Sequence, residues 1–200
     1  MLRISLKYFK KNTMKNVMKS LSVLVTSTLM LSVNLSAQNK TVMVGGAAMY
    51  PTKTIVENAV NSKEHTTLVA AVKAAGLVET LSGAGPFTVF APTNAAFNKL
   101  PKGTVETLVK PENKTLLTTI LTYHVVPGRI DSKALLSMIK KNGNSYSAKT
   151  VQGGTLTFMR KGNRIMIKDD KGGMSYVTIK DVYQSNGVIH VVDTVLMPRS

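Results

Sequence analysis

The segment GPFTVFAPTNAAF, residues 85–97, changes its pattern halfway, and the interpretation of the whole chain starts from it. Its first half contains FTVF, aromatic and β-branched residues that favour a strand. Pro92 has no amide hydrogen to donate within a sheet, so it predicts the end of that strand. Thr93 or Asn94 can accept a hydrogen bond from a free amide at the start of AAFNKL, as a helix N-cap does. The segment therefore predicts a core strand that leads directly into a capped helix.

Helical patterns dominate the part of the chain around this strand. Residues 52–62, 65–77 and 131–143 space their apolar side chains as amphipathic helices do. Gly76 fits the left-handed position that follows a helix. The predicted N-caps of the three helices are, in order, Thr52 or Thr54, Thr66 or Thr67, and Asp131 or Ser132.

From residue 147 onward, apolar and polar residues alternate, which favours about five short strands. The strand FTVF has to pair with some of these strands across a long stretch of chain. Helices in the first half and strands in the second predict an α+β fold. The predicted hairpin turns are Gly153-Gly154, Gly162-Asn163, Gly172-Gly173 and Asn186-Gly187.

Residues 1–37 have the pattern of a secretory signal peptide. A stretch with six basic residues and no acidic one precedes an apolar run at 21–37, and Ser36 and Ala37 suit cleavage before Gln38. A membrane anchor is the alternative, but the run is shorter and more polar than the ~20 apolar residues of a spanning helix. We therefore expect a secreted protein, periplasmic, extracellular or at the cell surface, with no stable membrane span after cleavage.

The remaining chain predicts an irregular N-terminal arm at residues 38–53 and one domain at 54–198. The sequence has no cysteine, so the domain must be stabilised by packing without disulfides. Residues 1–37 hold six of the 26 basic residues and none of the ten acidic ones, which leaves twenty basic residues against ten acidic. This excess favours an anionic partner, with plain solubility as the alternative. No motif predicts a specific nucleic-acid partner.

No pattern in the sequence predicts a catalytic, cofactor-binding or metal-binding residue. A Gly-x-Ser-x-Gly elbow and a phosphate-binding loop are both absent from the sequence. His65, His124 and His190 lack metal-ligand spacing and are predicted to be structural histidines with satisfied hydrogen bonds. Asp169 and Asp170 lack the alternating ligands of a calcium loop. We therefore predict a non-enzymatic protein without a cofactor.

The predicted hairpin around residue 162 carries Arg160, Lys161, Arg164 and Lys168. These four residues are candidates for a basic face that contacts an anionic partner. The alternative is that their charge only protects a sheet edge from aggregation.

Three motifs resemble those of the fasciclin domain family, and together they cover the chain from about residue 54 to residue 198. GPFTVFAPTNAAF, residues 85–97, resembles the first block of the family. TYHVVPG contains the Tyr-His motif of the family at Tyr123 and His124, and SNGVIHVVDTVLMP, residues 185–198, resembles the second block. The resemblance is nearest to bacterial exported single-domain members.

The resemblance implies a β-sandwich or wedge of about seven strands, with several helices packed on one side. The two blocks are central strands in such domains, so the resemblance implies that their residues are scaffold. The structural motif residues in this sequence are Thr93, Asn94, Phe97, Asn186, Gly187, His190 and Asp193.

The Tyr-His motif has two interpretations. In animal members of the family this region has been associated with receptor binding, which makes Tyr123 and His124 interaction candidates. The physical alternative is that His124 packs at a helix-to-strand junction and bonds a buried backbone group or the cap at Thr93 or Asn94.

The resemblance implies a secreted, non-enzymatic protein in cell adhesion or in cell-surface or matrix interaction. Its expected partner is an unknown extracellular protein or an anionic polysaccharide, and no oligomeric state is specified. Some family members hold pigments, so the alternative is a carrier of a small apolar ligand such as a pigment or lipid. Seven methionines after residue 37 can supply an adaptable lining for such a ligand.

Overall fold

The structure, a computed structural model, describes residues 41–199, so the predicted signal peptide lies outside the described residues. The elements in chain order are β1 (Val42–Val44), β2 (Ala47–Met49), α1 (Ile55–Ala59), α2 (Thr66–Ala75), α3 (Val78–Ser82), β3 (Phe87–Pro92), α4 (Asn94–Phe97), α5 (Thr104–Leu108), a 3-10 turn (Pro111–Asn113), α6 (Lys114–Tyr123), β4 (Val125–Pro127), α7 (Ser132–Lys141), β5 (Ser145–Lys149), β6 (Thr155–Lys161), β7 (Arg164–Lys168), β8 (Met174–Gln184) and β9 (Gly187–Val192).

Seven strands form one sheet in the order β4-β3-β9-β8-β7-β6-β5. All neighbouring strands are antiparallel except β3 and β9, which are parallel. The amide of Val151, after β5, donates to the carbonyl of Val125 in β4 at 2.7 Å. This bond joins the two ends of the sheet, which is therefore nearly closed. The predicted α+β fold with about seven strands is confirmed.

Strands β3 and β9 lie at the centre of the fold, and both are buried almost along their whole length. Successive side chains of a strand point to opposite faces. Phe90 therefore enters a cluster with α7 and the inner face of β5–β8, whereas Val89 and Ala91 enter a cluster with α1 and the β1–β2 hairpin. A third cluster joins α2, α4, α5 and α6. The strand predicted from FTVF thus separates two hydrophobic cores.

The prediction of an irregular arm at residues 38–53 was wrong for residues 42–49. Residues 42–49 form the β1–β2 hairpin around Gly45 and Gly46, both of which have positive φ. Two consecutive residues with positive φ suit the tight turn of a hairpin, and glycine adopts that conformation without strain. Val44 and Met49 are buried, so the hairpin belongs to the core.

Most helix ends follow the predictions, with one exception. Thr54, Thr93 and Asp131 each accept a bond from a backbone amide at the start of a helix, and Gly76 is left-handed at the end of α2. The predicted caps Thr66 and Thr67 both lie inside α2. Asn94, from the start of α4, accepts the bond from the Thr67 amide instead, at 3.0 Å. A cap supplied by a distant segment leaves no local sequence signal.

The parallel contact between β3 and β9 requires a glycine at position 187. A Cβ atom at Gly187 would overlap with the carbonyl oxygen of Phe87, its register partner on β3. The obstructing atom belongs to the backbone, so the contact cannot relax by a simple side-chain rotation.

We expect Gly187→Ala to lower the free energy of unfolding by about 2–4 kcal/mol, because the added methyl group pushes β3 and β9 apart. Gly83→Ala is the matched control. Its φ is −67°, and its new Cβ would meet the Thr80 carbonyl oxygen at 3.3 Å, so a change within about 1 kcal/mol is expected. Urea unfolding of both variants tests this expectation, and equal stability of the two would contradict it.

Candidate functional sites

Tyr123 ends α6 and ties together two turns of the C-terminal strands. Its side chain is fully buried. The phenol donates to the carbonyl of Thr155 at 2.7 Å and accepts from the amide of Asp170 at 2.8 Å. Burial raises the pKa of the Tyr123 phenol, so it stays protonated and keeps both bonds.

His124 follows directly and bonds two backbone groups. Its Nδ1 lies 2.8 Å from the carbonyl of Ile120, and its Nε2 accepts from the amide of Leu196 at 3.0 Å. These partners require the neutral tautomer with the proton on Nδ1. Burial lowers the pKa of His124 to about 4, so the ring is neutral at physiological pH.

These positions decide how the Tyr-His motif can act. Tyr123 is 0% exposed and His124 is 3% exposed, so neither offers a side chain to a partner. The prediction that Tyr123 and His124 contact a partner was therefore wrong, because both side chains are buried. His124 bonds buried backbone groups, and its partners are not the alternative Thr93 or Asn94 cap.

The predicted structural motif residues of the second block each connect segments that are far apart in sequence. Asn186 accepts from the amide of Ile55 at 3.0 Å and donates to the carbonyl of Leu81 at 2.8 Å, which holds α1 and α3. His190 is stacked on Phe90 and bonds the carbonyl of Ile130 at 2.9 Å. Asp193 accepts the amide of Tyr176 at 2.9 Å.

The three predicted motif residues of the first block also have structural roles. Thr93 accepts the amide of Ala96 at 3.2 Å and so caps α4. Asn94 donates to the carbonyl of Lys63 at 2.9 Å in addition to capping α2. Phe97 is buried in the cluster of α2, α4, α5 and α6.

The outer surface of β5–β8 forms a cationic face. Lys161 and Arg164 are direct partners across β6 and β7, and the Arg164 guanidinium lies 4.4 Å from the centre of the Tyr176 ring. No acidic residue belongs to this face among the described strands. By register and burial it consists of Ser145, Ser147, Lys149, Thr155, Thr157, Met159, Lys161, Arg164, Met166, Lys168, Met174, Tyr176 and Thr178.

The predicted set of four basic residues does not share one face. Lys161, Arg164 and Lys168 lie on the cationic face, but Arg160 is paired with Ile165, whose side chain points to the interior. Arg160 therefore lies on the other side of the sheet, where its Nε donates to the carbonyl of Gly162 at 2.9 Å. Lys149, from β5, supplies the fourth cation of the face. The predicted β6–β7 hairpin could not reveal Lys149, because its place on the face depends on the β5–β6 register.

An apolar cavity of about 210 Å³ lies against the central strands, away from the cationic face of β5–β8. The β1–β2 hairpin, helices α1–α3 and strands β3, β9 and β8 supply its walls, which include Met49, Val72, Val89 and Ile189. Val60 lines it and is 49% exposed, so the cavity reaches the surface near the end of α1. Part of this lining comes from the hairpin that the sequence analysis interpreted as an irregular arm.

Two polar residues in the cavity wall, Ser62 and His65, contact each other, which the sequence analysis did not predict. Ser62 Oγ lies 2.9 Å from His65 Nδ1, and both residues line the cavity. His65 Nε2 is buried and has no hydrogen-bond partner among the described residues. The prediction that all three histidines are satisfied was therefore wrong for His65. The three-residue spacing from Ser62 to His65 was a local signal that could have suggested the contact.

Within residues 41–199, no group of three or more histidine, cysteine, aspartate or glutamate side chains is arranged to hold a metal ion. None of the helices in the same range has the length and apolar character needed to cross a membrane. The buried carboxylate of Asp169 accepts the amides of Gly173 and Met197 at 2.6 and 2.9 Å. Its role in the described structure is to hold a turn and the C-terminal segment.

The buried histidines predict loss of stability in mild acid. Burial lowers the pKa of His124 to about 4 and also lowers the pKa of His65 and His190, whereas an unfolded histidine titrates near 6.5. The unfolded chain therefore takes up protons first, and stability falls as the pH drops from about 6.5 toward 4. We expect a loss of about 2 kcal/mol between pH 6.5 and 5, where carboxylates remain ionised.

Urea unfolding across this pH range, on the wild type and His124→Ala, measures the effect. The variant removes two buried bonds and should be less stable at pH 7, but its stability should depend less on pH between 6.5 and 5. A wild type with constant stability over that interval would contradict the assignment.

Several known proteins are similar to this chain. The model of the fasciclin domain matches residues 63–198. "Protein sll1483" of Synechocystis is 48% identical over 161 residues, which are 80% of this chain and 81% of that protein. "Immunogenic protein MPB70" of Mycobacterium bovis is 38% identical over 143 residues (69% and 65%), and "Cell surface glycolipoprotein MPB83" of the same species is 35% identical over 170 residues (82% and 68%).

A solved structure has the same fold. It is a FAS1 domain pair from the insect cell adhesion molecule fasciclin I, with a TM-score of 0.66 at 19% identity. The similarity covers 74% of this chain and about half, 52%, of that chain. The sequence motifs, the nearly closed seven-stranded sheet and the match over residues 63–198 lead to one conclusion: this chain belongs to the fasciclin domain family.

Proposed function

We propose that this protein is an exported, non-enzymatic surface-interaction protein that binds anionic polysaccharide through the cationic face. The observation that carries the proposal is the composition of that face. Lys149, Lys161, Arg164 and Lys168 are exposed on adjacent strands, with no carboxylate on the same surface of the described strands. A linear polymer with repeated negative charges complements a surface of this kind.

The geometry of the face supports binding to an extended polymer. By register, Lys161 and Arg164 face each other near one end of β6 and β7, whereas Lys149 and Lys168 lie toward the other end of the face. The cations therefore form two pairs along the strands, which an extended polymer can span. The Tyr176 ring holds the Arg164 guanidinium in place, which reduces the conformational entropy that the side chain loses on binding. Hydroxyl groups of Ser147 and Thr157, 3.1 Å apart on the same face, can bond sugar oxygens.

Two further observations support a role at the surface. The predicted signal peptide would export the chain. The mycobacterial relative named a cell surface glycolipoprotein is similar in sequence to this chain, and the insect cell adhesion molecule shares its fold. A non-enzymatic role agrees with the buried groups His124, Asp169 and His190, each of which bonds backbone groups.

The test is binding of the purified protein to polygalacturonate, a linear polymer with one carboxylate per sugar. We expect binding that weakens steeply between about 0.05 and 0.5 M salt, because salt screens exposed charges. Replacing Lys161, Arg164 and Lys168 together by glutamine should weaken binding at low salt by about tenfold or more.

The matched control neutralises three exposed lysines of α7, Lys133, Lys140 and Lys141, which changes the net charge by the same amount away from the cationic face. Equal losses in the two triple variants would assign the binding to net charge and would contradict the cationic face as the site. Binding that does not depend on salt would exclude the electrostatic mechanism.

The cavity favours a second candidate function, a carrier of a small apolar ligand. Natural cores contain few voids larger than a water molecule, so an apolar cavity of about 210 Å³ in a core is unusual. An engineered apolar cavity of ~150 Å³ in another protein stays dry and binds benzene. This cavity is larger and reaches the surface, so a ligand can enter it.

We expect purified protein to bind the neutral apolar dye N-phenyl-1-naphthylamine, and Ala59→Phe to reduce this binding by about tenfold, because the added ring fills space in the cavity. Ala74→Phe is the control, since Ala74 lies on the exposed side of α2 and does not line the cavity. Dye fluorescence measures both. Equal dye binding by Ala59→Phe and the wild type would contradict binding in the cavity.

A further inference from the structure

His65 has an unsatisfied nitrogen in an otherwise apolar wall. It lies at the N-cap of α2, is 4% exposed and lines the cavity. Burial lowers the pKa of His65, and the nearby carbonyl of Ala91 offsets part of this effect. This carbonyl does not, however, lie in hydrogen-bonding geometry with Nε2. Buried polar groups are paired in the great majority of cases, so an unpaired one requires an explanation.

Ser62 determines which nitrogen of His65 carries the proton. The Ser62 hydroxyl lies 2.9 Å from His65 Nδ1 and contacts no other acceptor in the described part of the chain. If the hydroxyl donates to Nδ1, its only proton is used and the histidine proton resides on Nε2. The opposite tautomer would leave the hydroxyl proton without an acceptor. Nε2 is therefore a donor that lacks an acceptor.

The other residues of the cavity restrict what can supply that acceptor. His124 also lines the cavity, but both of its nitrogens bond backbone groups. A carboxylate buried against the apolar walls would lose its hydration without a compensating cation nearby, because the cation in the lining, Lys73, is exposed. A neutral acceptor such as a ketone, an aldehyde or an ester is free of this penalty.

The volume limits the size of the ligand. About 210 Å³ is smaller than the ~300–1,000 Å³ of sites for drug-sized molecules. It accommodates a single substituted ring or a short branched chain, or one end of a longer molecule that leaves through the opening near Val60.

We propose that the cavity binds a neutral apolar molecule that carries a carbonyl group, and that His65 Nε2 donates a hydrogen bond to the carbonyl oxygen. This inference rests on the carrier function proposed above. In this inference, His65 selects the ligand by its carbonyl group, and the surrounding side chains of α1–α3 and β3 provide the binding affinity. Ser62 acts as a positioning residue through the proton on Nε2.

The experiment uses two probes of nearly identical shape, 4-tert-butylcyclohexanone and tert-butylcyclohexane, titrated into purified protein and followed by NMR. The ratio of their affinities cancels the shared apolar contribution, and the change in this ratio between proteins isolates the bond to His65. We expect His65→Leu to lower the ketone-to-alkane ratio by about fivefold or more, as loss of one buried hydrogen bond does. The control Lys73→Gln should leave the ratio unchanged.

The outcomes separate the inference from the carrier function. If the wild type binds both probes and His65→Leu leaves the ratio unchanged, the carrier function stands and the role of His65 is overturned. If the ratio changes in Lys73→Gln instead, the polar group lies at the opening, which also overturns the inference. If the wild type binds neither probe, the carrier function fails with it.

A second measurement uses only the wild-type protein, so it does not require any variant to fold. The Nε2 proton and nitrogen resonances of His65 in the wild type should shift downfield with the ketone and remain in place with the alkane. A water molecule as the sole occupant of the position would give no response to either probe, and that result would overturn the proposal.

Discussion

The parallel pairing of β3 with β9 is the constraint on which the rest of the structure depends. The two strands lie next to each other although about a hundred residues separate them, and their register runs from Phe87 and Gly187 to Pro92 and Val192. Both strands are buried on both faces, which explains their nearly continuous apolar sequence. Because alternate side chains of β3 enter different clusters, one misplaced strand would disturb both hydrophobic cores. Pairing strands that are so far apart in sequence carries a high loop-closure entropy and favours slow folding.

Polar side chains fix the segments around this pair. Asn186, Asn94, Tyr123 and His124 each bond backbone groups of other segments, so they align helices and turns that packing alone would leave free to slide. Tyr123 and His124 are also buried, so neither side chain can contact solvent or a partner. The residues that make the family recognisable from sequence are thus those that maintain the architecture, and the contacts with other molecules are assigned to different surfaces.

The two proposed functions use different parts of the sheet and different physical forces. The cationic face lies outside β5–β8 and attracts charged polymers at a distance, so salt controls it. The cavity lies among α1–α3, the N-terminal hairpin and the central strands, and binds through apolar contact with one polar position at His65. They share no lining residue, so a protein of this fold can attach to a surface and hold a small molecule without one site obstructing the other.

The sequence by itself determined the features that depend on neighbouring residues. The strand that ends at Pro92, the cap at Thr93, the left-handed Gly76 and the α+β order of elements all follow from local preferences, and the family motifs identified the fold. The Gly45-Gly46 pair is typical of a hairpin turn, but the prediction of an irregular arm did not use this local signal. Alternation along β6 already separates Arg160 from Lys161, but only the tertiary structure added Lys149 to the cationic face, because that depends on the β5–β6 register. The same holds for the cavity and the unpaired nitrogen of His65, which arise where segments distant in sequence pack together and leave a space that no single segment specifies.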